Sequence, residues 1–239
     1  MFKTILAMGL SVFLSACLMT AQTELETKFP VGSQFTDKIE LPQGDILLPQ
    51  GEWTVLATDI GRNNTYEAFG SLVLGKIDAN NTLRGFITIA SPMSAGMGYA
   101  FYSNSFCDQQ QNYLFHQTNG NHDFGYQSCF GIKKKTLAAF DGFKDYVKLG
   151  TKYLVTKRTD RPYDMISSAF RITRGHKFLY VEYGFDYRQS AIEMLPGYES
   201  GEAVELGRYF FPEEKTDNVK AVIRWSLVNG PKIEDAFLN

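Results

Sequence analysis

The stretch from Lys177 to Arg188 alternates: Leu179, Val181, Tyr183, Phe185 and Tyr187 fall on one side of an extended chain, and Phe178, Tyr180, Glu182, Asp186 and Arg188 on the other. Side chains of a strand point to its two faces in turn, so this segment carries one wholly apolar face that needs burial. The rest of the chain has to supply neighbouring strands and something to lie over them. Composition permits it. The 239 residues are 44% hydrophobic, which is globular and neither disordered nor collagen-like. With 24 Lys and Arg against 26 Asp and Glu, the net charge is −2. No cationic excess is left to neutralise phosphates, which excludes a strongly basic nucleic-acid binder.

The β pattern also runs from Ile46 to Pro92. Leu-Pro-Gln-Gly at 41–44 and again at 48–51 reads as turns flanking short strands. Trp53, Val55 and Leu56 mark a strand over 52–60, and segments 69–77 and 83–90 flank the polar turn Asp78-Ala79-Asn80-Asn81 as a hairpin. Further strands are predicted at 99–102, 113–116, 126–132 and 170–173. Residues 137–156 change period: Phe140, Phe143, Val147, Gly150 and Leu154 share a helical face, while Lys144, Lys148 and Lys152 form a stripe on another. That stripe reads as a solvated face, with contact to anionic headgroups as the sharper option. A second helix starts near Asp217, carries Val219, Val222, Ile223 and Leu227 on one side, and is expected to stop or kink at Asn229-Gly230-Pro231. The expected fold is α+β: a mostly antiparallel sheet, an amphipathic helix in mid-chain and a C-terminal helix packed on the sheet. This order resembles the sheet-plus-helices layout of the photosystem extrinsic-subunit P family, as an analogy of topology alone.

The N-terminus has the parts of an export signal. Lys3 is the only charge before Glu24, and an apolar run from Ile5 to Ala16 follows it. The run is shorter than the roughly 20 residues of a membrane span. Its end, Leu14-Ser15-Ala16-Cys17, resembles the lipobox of bacterial lipoproteins at all four positions. The resemblance implies cleavage before Cys17 and a diacylglycerol thioether on its sulfur. Leu18 in place of Asp implies transfer to the outer membrane. An ordinary signal cut after Ala21 remains the alternative. Loss of residues 1–16 removes Lys3 and leaves a mature charge of −3 (23 cations, 26 anions). Acyl chains, rather than a polybasic patch, are then expected to hold the protein to the membrane. Residues 17–38 read as a tether and 39–239 as one domain. The run Leu48-Pro49-Gln50-Gly51-Glu52-Trp53-Thr54, with a late Trp225 helix ending in Phe237, resembles uncharacterised exported proteobacterial proteins and implies no activity.

If Cys17 carries lipid, Cys107 and Cys129 remain as a pair. An oxidising compartment makes a disulfide the natural reading. It would close a polar segment with little apolar surface of its own. Two buried free thiols are the alternative.

Signatures of chemistry are sparse. Gly-x-Ser-x-Gly and the phosphate loop do not occur, and Gly96-Met97-Gly98 lacks the third glycine of a dinucleotide fingerprint. His116, His122 and Asp123 are suitable zinc ligand types, but their spacing and the Asn119-Gly120-Asn121 stretch favour solvated loop histidines. Glu182 and Asp186 share a strand face with aromatics, as a glycan-handling site would require. Four residues along a strand is about 13 Å, beyond the acid–base spacing of glycosidases. An exposed or helix-covered sheet face is the plainer reading. Lys133-Lys134-Lys135 is too short to imply a polyanion ligand. The expectation is a lipid-anchored envelope lipoprotein on the periplasmic face of the outer membrane. It would act as a binding or assembly module for an envelope protein or glycan, with no metal and no cofactor. The alternative is an envelope hydrolase using His116, His122, Asp123, Glu182 and Asp186.

Overall fold

A computed structural model describes residues 20–62, 68–93, 101, 106–107, 113–119, 126–136, 145–186 and 216–239. Residues 20–28 are helical (α1). There follow β1 (Gln34–Phe35), β2 (Lys38–Leu41), β3 (Gly44–Leu47), β4 (Trp53–Arg62), β5 (Ala68–Ile77), β6 (Leu83–Pro92), β7 (Phe115–Asn119) and β8 (Tyr126–Thr136). Then come α2 (Asp145–Thr156), β9 (Asp164–Arg174), β10 (Lys177–Phe185) and α3 (Thr216–Leu238). Eight strands form one antiparallel sheet in the order β1-β4-β5-β6-β10-β9-β8-β7, and β2 and β3 pair as a separate ribbon. The α+β class read from the sequence is the class observed.

The alternation in β10 is continued sideways by register. Val181 pairs with Ile89 of β6 on one side and Phe170 of β9 on the other, and Leu179 pairs with Ile172. Rows of apolar side chains therefore cross the sheet on one face. The ribbon and α3 cover that face, burying Ile39, Ile46, Val222, Ile233 and Phe237 against it. Trp225 of α3 sits with its ring centroid 5.1 Å from Tyr183 and 5.2 Å from Phe185. Gln43, in the turn of the ribbon, donates to the His176 carbonyl and accepts from the Phe178 amide, pinning the ribbon to the β9–β10 hairpin. Lys177 donates to the carbonyls of Phe237 and Leu238, where the helix leaves its last acceptors unpaired.

On the opposite face α2 lies against β4 and β5. Val147 and Leu154 pack on Leu56, Val73, Leu83 and Phe86, with Gly150 on the same side. A Cβ on Gly150 would lie 2.9 Å from Val73, so this glycine lets the helix seat closely. The predicted apolar face is thus the buried one. Phe140, Phe143 and Lys144 lie outside the described residues, as does the strand expected at 99–102, apart from Phe101.

Two expectations are corrected. Residues 17–38 are not a free tether from residue 20 onward. Leu25 and Phe29 of the α1 region are 1% exposed in the main core, and β1 pairs with β4. Scattered apolar positions in a polar stretch concealed that each one docks. Nor does α3 stop at Asn229-Gly230-Pro231; it runs through Pro231 to Leu238. Ile233 and Phe237 beyond the proline are buried at 1% and 0% exposure, and that burial offsets the lost backbone donor. Gly230 lies where a Cβ would approach the Phe170 ring to 3.3 Å, so the helix passes close to the sheet there.

Candidate functional site

The polar side of β10 faces away from α3. Register aligns Glu182 with Thr88 on β6 and Ala169 on β9, and Lys133 of β8 with Ser167 of β9. The Lys133-Lys134-Lys135 run is split by the pleat. Lys134 points to the α3 side and pairs with Asp164 at 2.7 Å. Lys133 and Lys135 point the other way, toward Glu182.

Glu182 is 2% exposed and fully engaged. Lys135 donates to Oε2 at 2.6 Å and Ser167 to Oε1 at 2.7 Å. The Lys133 ammonium lies 3.8 Å from Oε1, and the Tyr180 hydroxyl is 3.5 Å from Oε2. Burial by itself would push this carboxyl up. The charges of Lys135 and Lys133 and the hydrogen bonds from Lys135 and Ser167 outweigh it, and the carboxyl ends below its ordinary value. Burial pulls the Lys135 ammonium down, against the raising effect of Glu182. The plainer reading of this face as exposed or helix-covered is therefore corrected. It is a buried ionic cluster under aromatic side chains.

Those aromatics come from several segments. Phe106 meets Tyr113 at 5.5 Å and Tyr180 at 5.7 Å, both edge to face. Tyr113 lies over Gly131, where a Cβ would come within 2.5 Å of its ring, and 5.5 Å from the His116 ring. Burial, then the Glu182 charge, pushes the Tyr113 hydroxyl up. Farther along the face, Arg171 hydrogen-bonds Gln127 and lies 5.3 Å over the Phe178 ring. Cys129 pairs across β8 and β9 with Arg171, and it is disulfide-bonded to Cys107, with Cα atoms 5.7 Å apart. The bond fixes Phe106, the residue before Cys107, beside the cluster.

Among the described residues, the sequence-derived candidates Glu182 and Asp186 are held apart. Asp186 is 0% exposed and lies 3.2 Å from Arg84, which also holds Asp78 at 2.7 Å. Asp78 in turn accepts the amides of Asn80 and Thr82 and so closes the β5–β6 turn. Glu182 and Asp186 thus answer to different cations. His116 belongs to the Tyr113 cluster, while His122 and Asp123 lie outside the described residues. Among the described residues no group of three or more His, Cys, Asp or Glu is placed to hold a metal. Cys17 also lies outside them, and no described helix is long and apolar enough to cross a membrane.

Sequence reasoning missed Lys135, Ser167 and Arg171. The available signal was the pleat itself: alternate residues of the lysine run face opposite sides. Chemically the cluster is poorly placed for proton transfer. A carboxyl held in its ionised form has no proton to give at neutral pH, and a depressed one is a weak base. What it does supply is a rigid charged seat beneath an aromatic cover. The cleft between α2 and the sheet, lined by apolar side chains, Thr151 and Arg161, holds about 20 Å³, room for a water and no more.

No protein-family model matches the chain, and no curated protein matches it. Among solved structures, a transcriptional regulator of the GntR family from Enterococcus faecalis V583 is similar over 62% of this chain and 99% of its own, at 12% identity and a TM-score of 0.32. A superposition that loose carries no argument about function.

Proposed function

We propose that this protein is a bacterial envelope lipoprotein, held to the membrane by acyl chains on Cys17, whose folded body is a binding or assembly module for an envelope protein or glycan. Leu14-Ser15-Ala16-Cys17 after a short apolar run carries the anchoring half of this reading. The periplasmic face of the outer membrane follows from the resemblance at Leu18. Against the hydrolase alternative stands the state of Glu182. Its two oxygens are taken by Lys135 and Ser167, which leaves the carboxylate a structural role in preference to the acid–base role a hydrolase needs. The pairing of Cys107 with Cys129 suits an exported protein.

Mass spectrometry of the protein extracted from a membrane fraction tests the reading. The expected species begins at Cys17 and carries the mass of a diacylglyceryl group and an N-linked acyl chain. A soluble polypeptide that retains Met1, or one cut after Ala21 without lipid, overturns it.

A further inference from the structure

We propose that the outward face of α2 and the loop after it form a contact surface for anionic lipid headgroups, resting the body on the bilayer to which Cys17 would tether it. The proposal deepens the anchored-lipoprotein reading and rests on it for orientation. Val147, Gly150 and Leu154 turn inward. Lys148, Lys152 and Val155 follow at i, i+4 and i+7 on the opposite side, all exposed, with Leu149 beside them. Leu149 and Val155 are 43% and 57% exposed, and Tyr163, after the helix, is 70% exposed. They account for three of the five large apolar side chains left open among the described residues.

Charge is segregated to the same place. From the start of α2 at Asp145 to Tyr163 there are five cations, Lys148, Lys152, Lys157, Arg158 and Arg161, against two acids, Asp145 and Asp160; Arg161 lines the cleft between α2 and the sheet and is not counted with the outward face. The whole chain is at −2, so this strip runs opposite to the molecule that carries it. Cations interspersed with exposed aliphatic and tyrosine side chains fit an anionic interface: the charges meet headgroups and the apolar groups enter the boundary. Exposed aliphatic side chains spaced among lysines let one surface meet headgroup charge and enter the acyl boundary together, so lipid is the occupant the pattern favours. Val31, 54% exposed, precedes Gly32, whose Cβ position is 3.9 Å from the Tyr153 hydroxyl, so the segment leaving α1 adjoins α2. Net charge conceals this surface, because it sums over faces that the fold keeps apart.

The test uses the full-length protein with Val155→Cys, labelled with an environment-sensitive nitrobenzoxadiazole and reconstituted into vesicles. The parent protein carried through the same labelling sets the background. On vesicles of phosphatidylcholine with phosphatidylglycerol, the label is expected to shift to the blue and be quenched by spin-labelled acyl chains. On phosphatidylcholine alone it stays in water. Raising salt weakens the shift. The double variant Lys148→Glu/Lys152→Glu is expected to lower the membrane-inserted fraction about tenfold or more, while Lys232→Glu on α3 leaves it unchanged. No shift on either vesicle, or an equal shift on both, overturns the proposal. Failure of the anchor reads differently: the protein then does not float with phosphatidylcholine vesicles, and the label still reports on anionic vesicles titrated into the soluble protein.

Discussion

Lys135 and Glu182 form a 2.6 Å ion pair between β8 and β10, across the intervening β9, with both side chains under one-tenth exposed. Each charge is tolerable only because the other is present, since water reaches neither. Removing one partner strands the other. Lys135→Met or Glu182→Leu alone is expected to cost about 3–5 kcal/mol. The double variant should recover most of that loss, because it buries two apolar groups in place of two ions. Urea midpoints for the four proteins check this, and a double variant as unstable as the sum of the singles would sink it.

The same pair makes stability fall in acid. The Glu182 carboxyl is held below its ordinary value of 4.5. Its contribution is therefore complete above the unfolded value and is lost as pH falls through the lower folded one. Denaturant midpoints should hold from neutrality to about pH 5 and then decline. The decline should be shallower in the Lys135→Met/Glu182→Leu protein, which has no such group to protonate. Identical acid limbs for the two proteins would contradict the assignment.

Gly184 interrupts the polar side of β10, where Phe86 of β6 leans across it. A Cβ there would lie 1.9 Å from the Phe86 ring. Gly184→Ala is expected to destabilise by about 1–3 kcal/mol through displacement of the ring, whereas Gly175→Ala, with open space in the β9–β10 turn, acts through its positive φ of 60° alone. Thermal denaturation of the two variants distinguishes crowding from backbone strain, since Gly184→Ala should be rescued in part by Phe86→Leu and Gly175→Ala should not.

Cys107 and Cys129 close a span of 22 residues. In the chain-entropy account, loss of the bond costs about 3 kcal/mol. The Cys107→Ser/Cys129→Ser protein should unfold at correspondingly lower denaturant, and reductant should lower the wild-type midpoint to match it. A wild-type midpoint indifferent to reductant would count against a formed bond.

Trp225 carries α3 onto the sheet through Tyr183, Phe185 and Phe170. Trp225→Ala is expected to cost about 3–5 kcal/mol and to abolish most of the near-ultraviolet dichroism that this aromatic cluster generates. Trp53, whose indole donates to the Pro49 carbonyl at 2.7 Å, then remains as the fluorescence reporter of the β4 edge.

The strands of the sheet and the inward face of α2 were legible in the residues because each depends on a local period. An alternation of two or a spacing of three and four is set by backbone geometry, whatever packs nearby. Leu179 to Phe185 announces a buried face without reference to its neighbours. The same local view failed at Leu25 and Phe29, which dock singly and leave no period, and at Gly230-Pro231, where the signals for a helix stop were overruled by the burial of Ile233 and Phe237. The polar cluster was invisible for a further reason. Lys135, Ser167 and Glu182 come from three strands, and their meeting depends on register. A slip of one residue in β8 would have presented Lys134 in place of its neighbours.

What the residue order determined by itself is therefore the period of each element, the balance of charge and the apolar lead to Cys17, because these are properties of short stretches of chain. Only the tertiary structure decided which cation meets which carboxylate, and that the lysines of α2 gather beside open aliphatic side chains on a molecule of net negative charge. Those are relations between faces, and a face exists only once distant strands and helices have been brought into register.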